Sequence, residues 1–227
     1  MKETTAVTIS GRPVTLHGDL TSGNLFLQPV DEHDTERLAD ELAALKKLSG
    51  STDWALVTVP VASWSDDLTP WDAPAVFGDE GFGSGAPATL SFILDELLPY
   101  IEKEYPQESR RIFLCGYSLA GFFSLWGAYQ SDVFSGAAAV SPSVWYPGWL
   151  DYARTHDVKA ARVYLSLGLK EEKARNRVMA TVGDAIREQY QLLTDAGVPC
   201  TLEWNPGNHF IESDLRMAKG MAWLLSD

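Results

Sequence analysis

Short apolar runs alternate with amphipathic stretches along most of the chain after about residue 50. Runs that are apolar on both faces are typical of strands buried inside a parallel sheet. Five such runs cover residues 55–59, 112–115, 137–140, 163–167 and 201–204. Because helical patterns lie between them, we predict strand–helix–strand crossovers and a mostly parallel sheet.

The helical patterns repeat apolar residues at intervals of three and four. The four stripes are Leu38, Leu42, Leu45 and Leu48; Leu90, Ile93, Leu94, Leu97 and Ile101; Val178, Val182, Ile186 and Leu193; and Leu215, Ala218, Ala222 and Leu225. Pro99 should kink the second helix because proline removes a backbone donor. Ser213 is the predicted N-cap of the last helix.

The N-terminal part has a different pattern, with strand-like segments at residues 5–10, 14–17 and 24–30 separated by short turns. Strands joined by short turns pair antiparallel. The whole pattern predicts an α/β fold with a mostly parallel central sheet, an antiparallel N-terminal edge and helices on both faces. This is the layout of an α/β-hydrolase, and we expect one domain over residues 1–227.

One predicted strand-to-helix junction carries the most specific motif, Gly116-x-Ser118-x-Ala120. Serine hydrolases use this context as a nucleophile elbow, whose strained turn requires small residues on either side of the serine. Ala120 stands where glycine is usual. We predict that Ser118 is a nucleophile and that the Leu119 amide helps to stabilise an oxyanion. The alternative is a chance turn in which Ser118 only caps a helix.

The partners of such a serine follow it in the order acid, then histidine. His209 lies in a loop after the last predicted strand and is the predicted general base. The acid should lie in the loop after the strand at 163–167, where Glu171 and Glu172 are both candidates. Either carboxylate could fix the histidine tautomer and stabilise the imidazolium.

With these residues placed, the chain resembles the esterase family of α/β-hydrolases that includes enterochelin esterases and the esterase D (S-formylglutathione hydrolase) group. The resemblance extends from about Leu25 to the C-terminus. It rests on Gly116-Tyr-Ser-Leu-Ala-Gly121, Ser141-Pro-Ser-Val-Trp145, Leu167-Gly168-x-x-Glu171 and Gly207-Asn-His209.

The resemblance favours Glu171 over Glu172, because the family's acid tends to fall three residues after the glycine. It also implies that a second oxyanion amide comes from the loop after the third strand. Pro29 has no N–H to donate, which leaves Val30 or Asp31. A Gly-Gly oxyanion motif is not recognisable in the sequence.

Several aromatic residues fall in predicted loops at the carboxyl ends of strands. Trp64 and Trp145 are candidate walls of a substrate pocket, together with Tyr117. The alternative is that the tryptophans pack their loops onto the protein body. Asp66 and Asp67 have no histidine or further carboxylate nearby in sequence, so we interpret them as a solvated pair and predict no metal site.

Composition limits the class of partner. The chain has 18 basic and 31 acidic side chains and a formal net charge of −13. This excess argues against nucleic acid and anionic membrane surfaces, which require basic patches. Cys115 and Cys200 are predicted to be buried free thiols. No apolar run approaches a membrane span, and residues 1–5 lack the apolar core of a signal peptide, so we expect a cytoplasmic protein.

These observations predict a serine hydrolase that cleaves a small carboxylic ester or thioester through an acyl-enzyme and needs no cofactor. A homo-oligomer is compatible with the sequence. Two alternatives stay open. An acyltransferase or peptidase could use the same residues, because the triad does not encode the acceptor. A binding protein could also occupy a hydrolase scaffold without catalysis.

Overall fold

The computed structural model describes residues 4–76 and 78–226. Met1, Lys2 and Glu3, which belong to the N-terminal segment that lacks a signal-peptide pattern, lie outside the described residues. Eight strands form one sheet in the order β1-β2-β4-β3-β5-β6-β7-β8. The strands are β1 (Thr5–Ile9), β2 (Arg12–Gly18), β3 (Asn24–Val30), β4 (Ala55–Pro60), β5 (Arg111–Tyr117), β6 (Gly136–Val140), β7 (Val163–Gly168) and β8 (Cys200–Asn205).

Within the described residues, eight α-helices connect and cover these strands. They are α1 (Glu32–Ser49), α2 (Trp64–Asp67), α3 (Ala86–Ser91), α4 (Leu98–Glu104), α5 (Leu119–Gln130), α6 (Trp149–Thr155), α7 (Val182–Asp195) and α8 (Ser213–Leu225). A π-helical segment (Phe92–Leu97) joins α3 to α4, and two 3₁₀ segments, Glu171–Lys173 and Met179–Thr181, lie between β7 and α7.

Six strands, from β3 to β8, run parallel, and β2 joins them antiparallel through β4. The predicted antiparallel edge is therefore confirmed for β1 and β2 but was wrong for β3. β3 pairs with β4 and β5 instead of β2. Every residue of β3 is buried, and a strand that is buried on both faces requires neighbours on both sides and helices above and below.

Alternate strand residues enter two separate cores. On one face, Phe26, Phe113 and Tyr164 pack with α1 and α8. On the other face, Leu27 and Leu114 pack with α3–α7. This alternation follows from the two-residue period of a strand, and it places helices on both faces as predicted.

Parts of the helix predictions need adjustment. Val178 lies before α7 and is 42% exposed, so it is not part of the buried stripe. The N-cap of α8 is Glu212, in a left-handed conformation, whereas Ser213 is the first helical residue. Pro99 lies in the first turn of α4, directly after the π-helical segment, where its missing N–H is tolerated. The kink there stays a prediction.

The two cysteines are free, as predicted, but only Cys115 is fully buried, since Cys200 at the start of β8 is half-buried. Within the part of the chain that the structure describes, no helix is both long and apolar enough to cross a bilayer. The carboxyl ends of the parallel strands lie at one edge of the sheet, and the loops that leave this edge carry the predicted site residues.

Candidate active site

The junction of β5 and α5 holds Ser118 in an unusual backbone conformation, with φ 59° and ψ −119°. A non-glycine residue rarely adopts positive φ, and its occurrence often marks a functional site. A Cβ on Gly116 would lie 2.4 Å from the Ala120 backbone, and one on Gly121 would lie 2.8 Å from the Gly116 carbonyl oxygen. The turn therefore requires glycine at both positions, whereas the methyl group of Ala120 is accommodated.

Three side chains from three loops form a continuous hydrogen-bonded chain. The Oγ of Ser118 lies 3.0 Å from Nε2 of His209. The opposite ring nitrogen, Nδ1, lies 2.7 Å from Oε2 of Glu171. Residues distant in sequence thus meet at the carboxyl edge of the sheet, in the order serine, histidine, glutamate.

The second carboxylate oxygen of Glu171 is held by three donors. Oε1 accepts hydrogen bonds from the Gly168 amide at 2.7 Å, the Ser141 hydroxyl at 2.8 Å and the Arg216 guanidinium at 3.0 Å. Burial alone would raise the pKa of this carboxyl group. The hydrogen bond and charge of His209, with the Gly168 and Ser141 donors, outweigh burial and lower the pKa, so the carboxylate stays ionised.

Glu172 occupies a different environment. Its carboxylate forms an ion pair with Arg187 at 2.8 Å, away from His209 and partly exposed to solvent. The structure therefore brings Glu171, and not Glu172, to the histidine.

Arg216 of α8 lies behind the site and contacts several of its parts, and it was not predicted from the sequence. Its side chain is 1% exposed. Besides Glu171, the guanidinium donates to the Tyr117 hydroxyl and to the backbone carbonyls of Pro206 and Asn208. These carbonyls belong to the loop that carries His209, so one cation holds both the acid and the histidine loop. Arg216 does not fall on the stripe predicted for this helix, which also carries Asp214 and Lys219, so the local sequence held no clear signal for its role.

The predicted oxyanion donors differ in availability. Leu119 is the first residue of α5, where amides have no acceptor within the helix. The Asp31 amide already donates to the Asp34 carboxylate in the capping box of α1, which makes Asp31 a poor donor to a substrate. Val30 stays a prediction. Among the described residues that line the cavity beside Ser118, neither Val30 nor Asp31 occurs.

A cavity of about 800 Å³ opens at Ser118 and His209. Trp64 and Trp145 line it, as predicted, together with Phe210 and the lysines at 170 and 173. Tyr117 does not line this cavity. It packs instead in the core between the sheet and α8, and its hydroxyl donates to the His209 carbonyl oxygen at 2.8 Å. The prediction of Tyr117 as a pocket wall was wrong because the alternation along β5 directs its side chain to the opposite side.

The aspartate pair near Trp64 is not simply solvated, which corrects the prediction from the sequence. Asp66 accepts hydrogen bonds from the amides of Ser84 and Gly85. Asp67 accepts from the amides at 62 and 63. The local sequence holds no sign of these backbone donors. By accepting their hydrogen bonds, the two carboxylates hold the loop that presents Trp64 to the cavity.

Solved structures share this architecture. An IroE-like serine hydrolase from Shewanella oneidensis superposes with a TM-score of 0.78 at 18% identity, covering 97% of this chain and 79% of that one. The siderophore hydrolase EstA from Aspergillus nidulans gives a TM-score of 0.74 at 20% identity, covering 97% and 93%. The enterobactin esterase FES from Shigella flexneri gives 0.72 at 16% identity, covering 98% and 59%. These likenesses confirm the α/β-hydrolase fold.

The sequence itself matches a family model. No curated protein matches the sequence. The family model described as "Putative esterase" matches residues 21–212, which is most of the chain. The resemblance predicted from the elbow and the histidine loop is thereby confirmed, as is the prediction of a carboxylic-ester hydrolase. The protein belongs to this esterase family.

Proposed function

We propose that the protein hydrolyses carboxylic esters through an acyl-enzyme on Ser118, with His209 as general base and Glu171 as the acid that orients it. The observation that carries this proposal is that His209 lies 3.0 Å from the Ser118 hydroxyl and 2.7 Å from the Glu171 carboxylate. Ser118 has a positive φ and lines a cavity. Membership of an esterase family supports the same reaction.

The first half-reaction forms the acyl-enzyme. The Ser118 oxygen attacks the ester carbonyl carbon while Nε2 of His209 takes the hydroxyl proton. The negative charge on the tetrahedral oxygen is stabilised by the Leu119 amide and the N-terminus of α5. Collapse of this intermediate breaks the bond to the alcohol oxygen, and His209 returns the proton to the departing alcohol.

The second half-reaction releases the acid. Water attacks the acyl carbon, and His209 takes a proton from it. The intermediate then expels the serine oxygen, which recovers its proton from His209. Throughout, ionised Glu171 accepts the Nδ1–H of the ring, which keeps Nε2 free to accept a proton and stabilises the imidazolium. These steps require no cofactor.

A fluorophosphonate probe tests the role of the serine, because the probe reacts with an activated serine and not with an ordinary one. Intact-mass analysis should find one adduct, and peptide mapping should place it on Ser118. Ser118→Ala and His209→Gln should both abolish labelling and lower hydrolysis of p-nitrophenyl acetate by about 10⁴-fold. The matched control is Ser143→Ala, which removes another serine of the same cavity and should keep the label.

The outcomes separate the alternatives. A folded wild-type protein that neither reacts with the probe nor cleaves any ester would be a binding protein on a hydrolase scaffold. Labelling together with rapid transfer of the acyl group to added alcohols, in preference to water, would instead indicate an acyltransferase.

A further inference from the structure

One side of the cavity carries positive charge. Lys170 and Lys173 line it, beside the Glu171 carboxylate. Both lysine side chains are exposed. Across residues 4–76 and 78–226, neither lysine has a carboxylate within ion-pair distance.

The carboxylates nearest in sequence are committed elsewhere. Glu171 is the single acidic residue among the described residues of the cavity wall. It faces His209, and its charge is matched by Arg216 directly behind it. Glu172 is turned away from the cavity to its ion pair with Arg187. The positive charge of the two lysines is therefore not cancelled by these neighbours.

This local charge contrasts with the rest of the protein. The chain as a whole carries a formal net charge of −13, which disfavours the approach of anions. Arg175 and Arg177, both exposed, follow the lysines in the same segment. A positive region at the mouth of a cavity in an otherwise acidic protein concentrates anionic ligands at that cavity.

The remaining walls are mostly apolar and include three aromatic side chains, Trp64, Trp145 and Phe210. Phe210 is 79% exposed, and an exposed aromatic ring beside an active serine can cover an apolar part of a ligand. The wall is therefore complementary to a ligand that combines an apolar or aromatic group with a negative charge.

We propose that the substrates of this site are esters that carry an anionic group such as a carboxylate, and that Lys170 and Lys173 are the specificity-determining residues that bind it. This inference rests on the proposed ester hydrolysis at Ser118. The anion belongs to either the acyl part or the alcohol part of the ester, since both parts flank the carbonyl carbon that Ser118 attacks.

Two matched pairs of rigid aromatic esters test the proposal. The acyl-side pair is the p-nitrophenyl ester of terephthalate, with a free para-carboxylate, and the same ester with a para-carboxamide. The alcohol-side pair is para-acetoxybenzoate and para-acetoxybenzamide. In each pair the amide has the shape of the carboxylate without its charge. For each pair, the anion-to-amide ratio is the kcat/KM of the carboxylate ester divided by the kcat/KM of the amide ester. Comparing this ratio between the wild type and a variant cancels the intrinsic reactivity of the esters.

The double variant Lys170→Gln/Lys173→Gln should lower the anion-to-amide ratio about tenfold for at least one pair, because each exposed ion pair contributes up to about a factor of five. Lys170→Arg/Lys173→Arg should restore most of the ratio, since the charge is kept. The control Lys46→Gln/Lys47→Gln removes two exposed lysines from the last turn of α1 and should leave the ratio unchanged. Raising the ionic strength should lower the wild-type ratio toward that of the double variant.

A lower anion-to-amide ratio in one pair alone supports the proposal and assigns the anion to the acyl or the alcohol part of the ester. If the wild type cleaves the neutral esters but the lysine substitutions leave both ratios unchanged, the anion-binding role is wrong while the proposed hydrolysis stands. If no ester is cleaved and the fluorophosphonate leaves Ser118 unlabelled, the proposed function and the inference built on it are both wrong.

Discussion

The substitution Glu171→Gln provides a sharp test of the site because the surroundings of this carboxylate fix how glutamine would orient. Oε1 receives donors from Gly168, Ser141 and Arg216. Oε2 faces Nδ1 of His209. A glutamine that keeps its oxygen toward the three donors must present its NH₂ group to Nδ1.

That orientation changes the state of the base. A ring nitrogen that faces an NH₂ group must accept a hydrogen bond, so the single proton of neutral His209 moves to Nε2. Nε2 lies 3.0 Å from the Ser118 oxygen and in this tautomer cannot take its proton. A wrong tautomer of this kind lowers kcat by about 10⁴-fold in a Ser-His-Asp triad, and we expect a similar loss here. The buried Arg216 also loses its anionic partner, which should lower the free energy of unfolding by about 3–5 kcal/mol.

The assay must separate these two effects. We would measure kcat with p-nitrophenyl acetate and determine the free energy of unfolding in urea for the same preparations. Glu172→Gln is the matched control, because it makes the same chemical change on the adjacent residue. Glu172 pairs with Arg187 at the surface, so the control should change stability by less than about 1 kcal/mol and leave kcat almost unchanged.

A folded Glu171→Gln variant with kcat within tenfold of the wild type would refute this reasoning. It would mean that His209 is oriented by backbone groups or water and that Ser118 and His209 act as a dyad. A loss on Glu172→Gln equal to that on Glu171→Gln would show that the charge of the whole segment matters more than the contact to Nδ1.

Three further predictions follow from other contacts. Arg216→Met should lower kcat and cost about 3–5 kcal/mol of stability, because the Glu171 carboxylate and two carbonyls of the histidine loop lose their donor; equal kcat in a folded variant would rule out a positioning role. Burial raises the pKa of Glu41 from 4.5 to about 8. The folded protein therefore keeps a proton that the unfolded chain releases above about pH 4.5, so stability should fall by about 1.4 kcal/mol per unit as pH rises toward 8. When the free energy of unfolding in urea is measured from pH 5 to 8, it should fall less steeply with pH for Glu41→Gln than for the wild type. An unchanged dependence on pH would contradict this assignment. Trp64→Ala and Trp145→Ala should weaken selectivity for long or aromatic acyl groups by about 1–3 kcal/mol in kcat/KM relative to acetyl esters, whereas equal losses on every ester would make both residues structural.

The sequence by itself determined the features that depend on neighbouring residues. Strand and helix periodicity are local, so the strands at residues 55–59 and 163–167 were predicted within one or two positions. The elbow was also recognisable, because a strained turn needs small residues at fixed distances from Ser118. The position of His209 followed from the order of elements in the chain. The choice of Glu171 over Glu172 came from family spacing, since the two residues look alike locally.

Tertiary structure decided what depends on residues far apart in the chain. The place of β3 between β4 and β5 is set by burial on both faces, which a turn between β2 and β3 does not reveal. Arg216 gains its role because Glu171 and the loop of His209 converge on it from different elements. A buried cation is tolerated only where several acceptors surround it, and that condition exists only after the chain has folded.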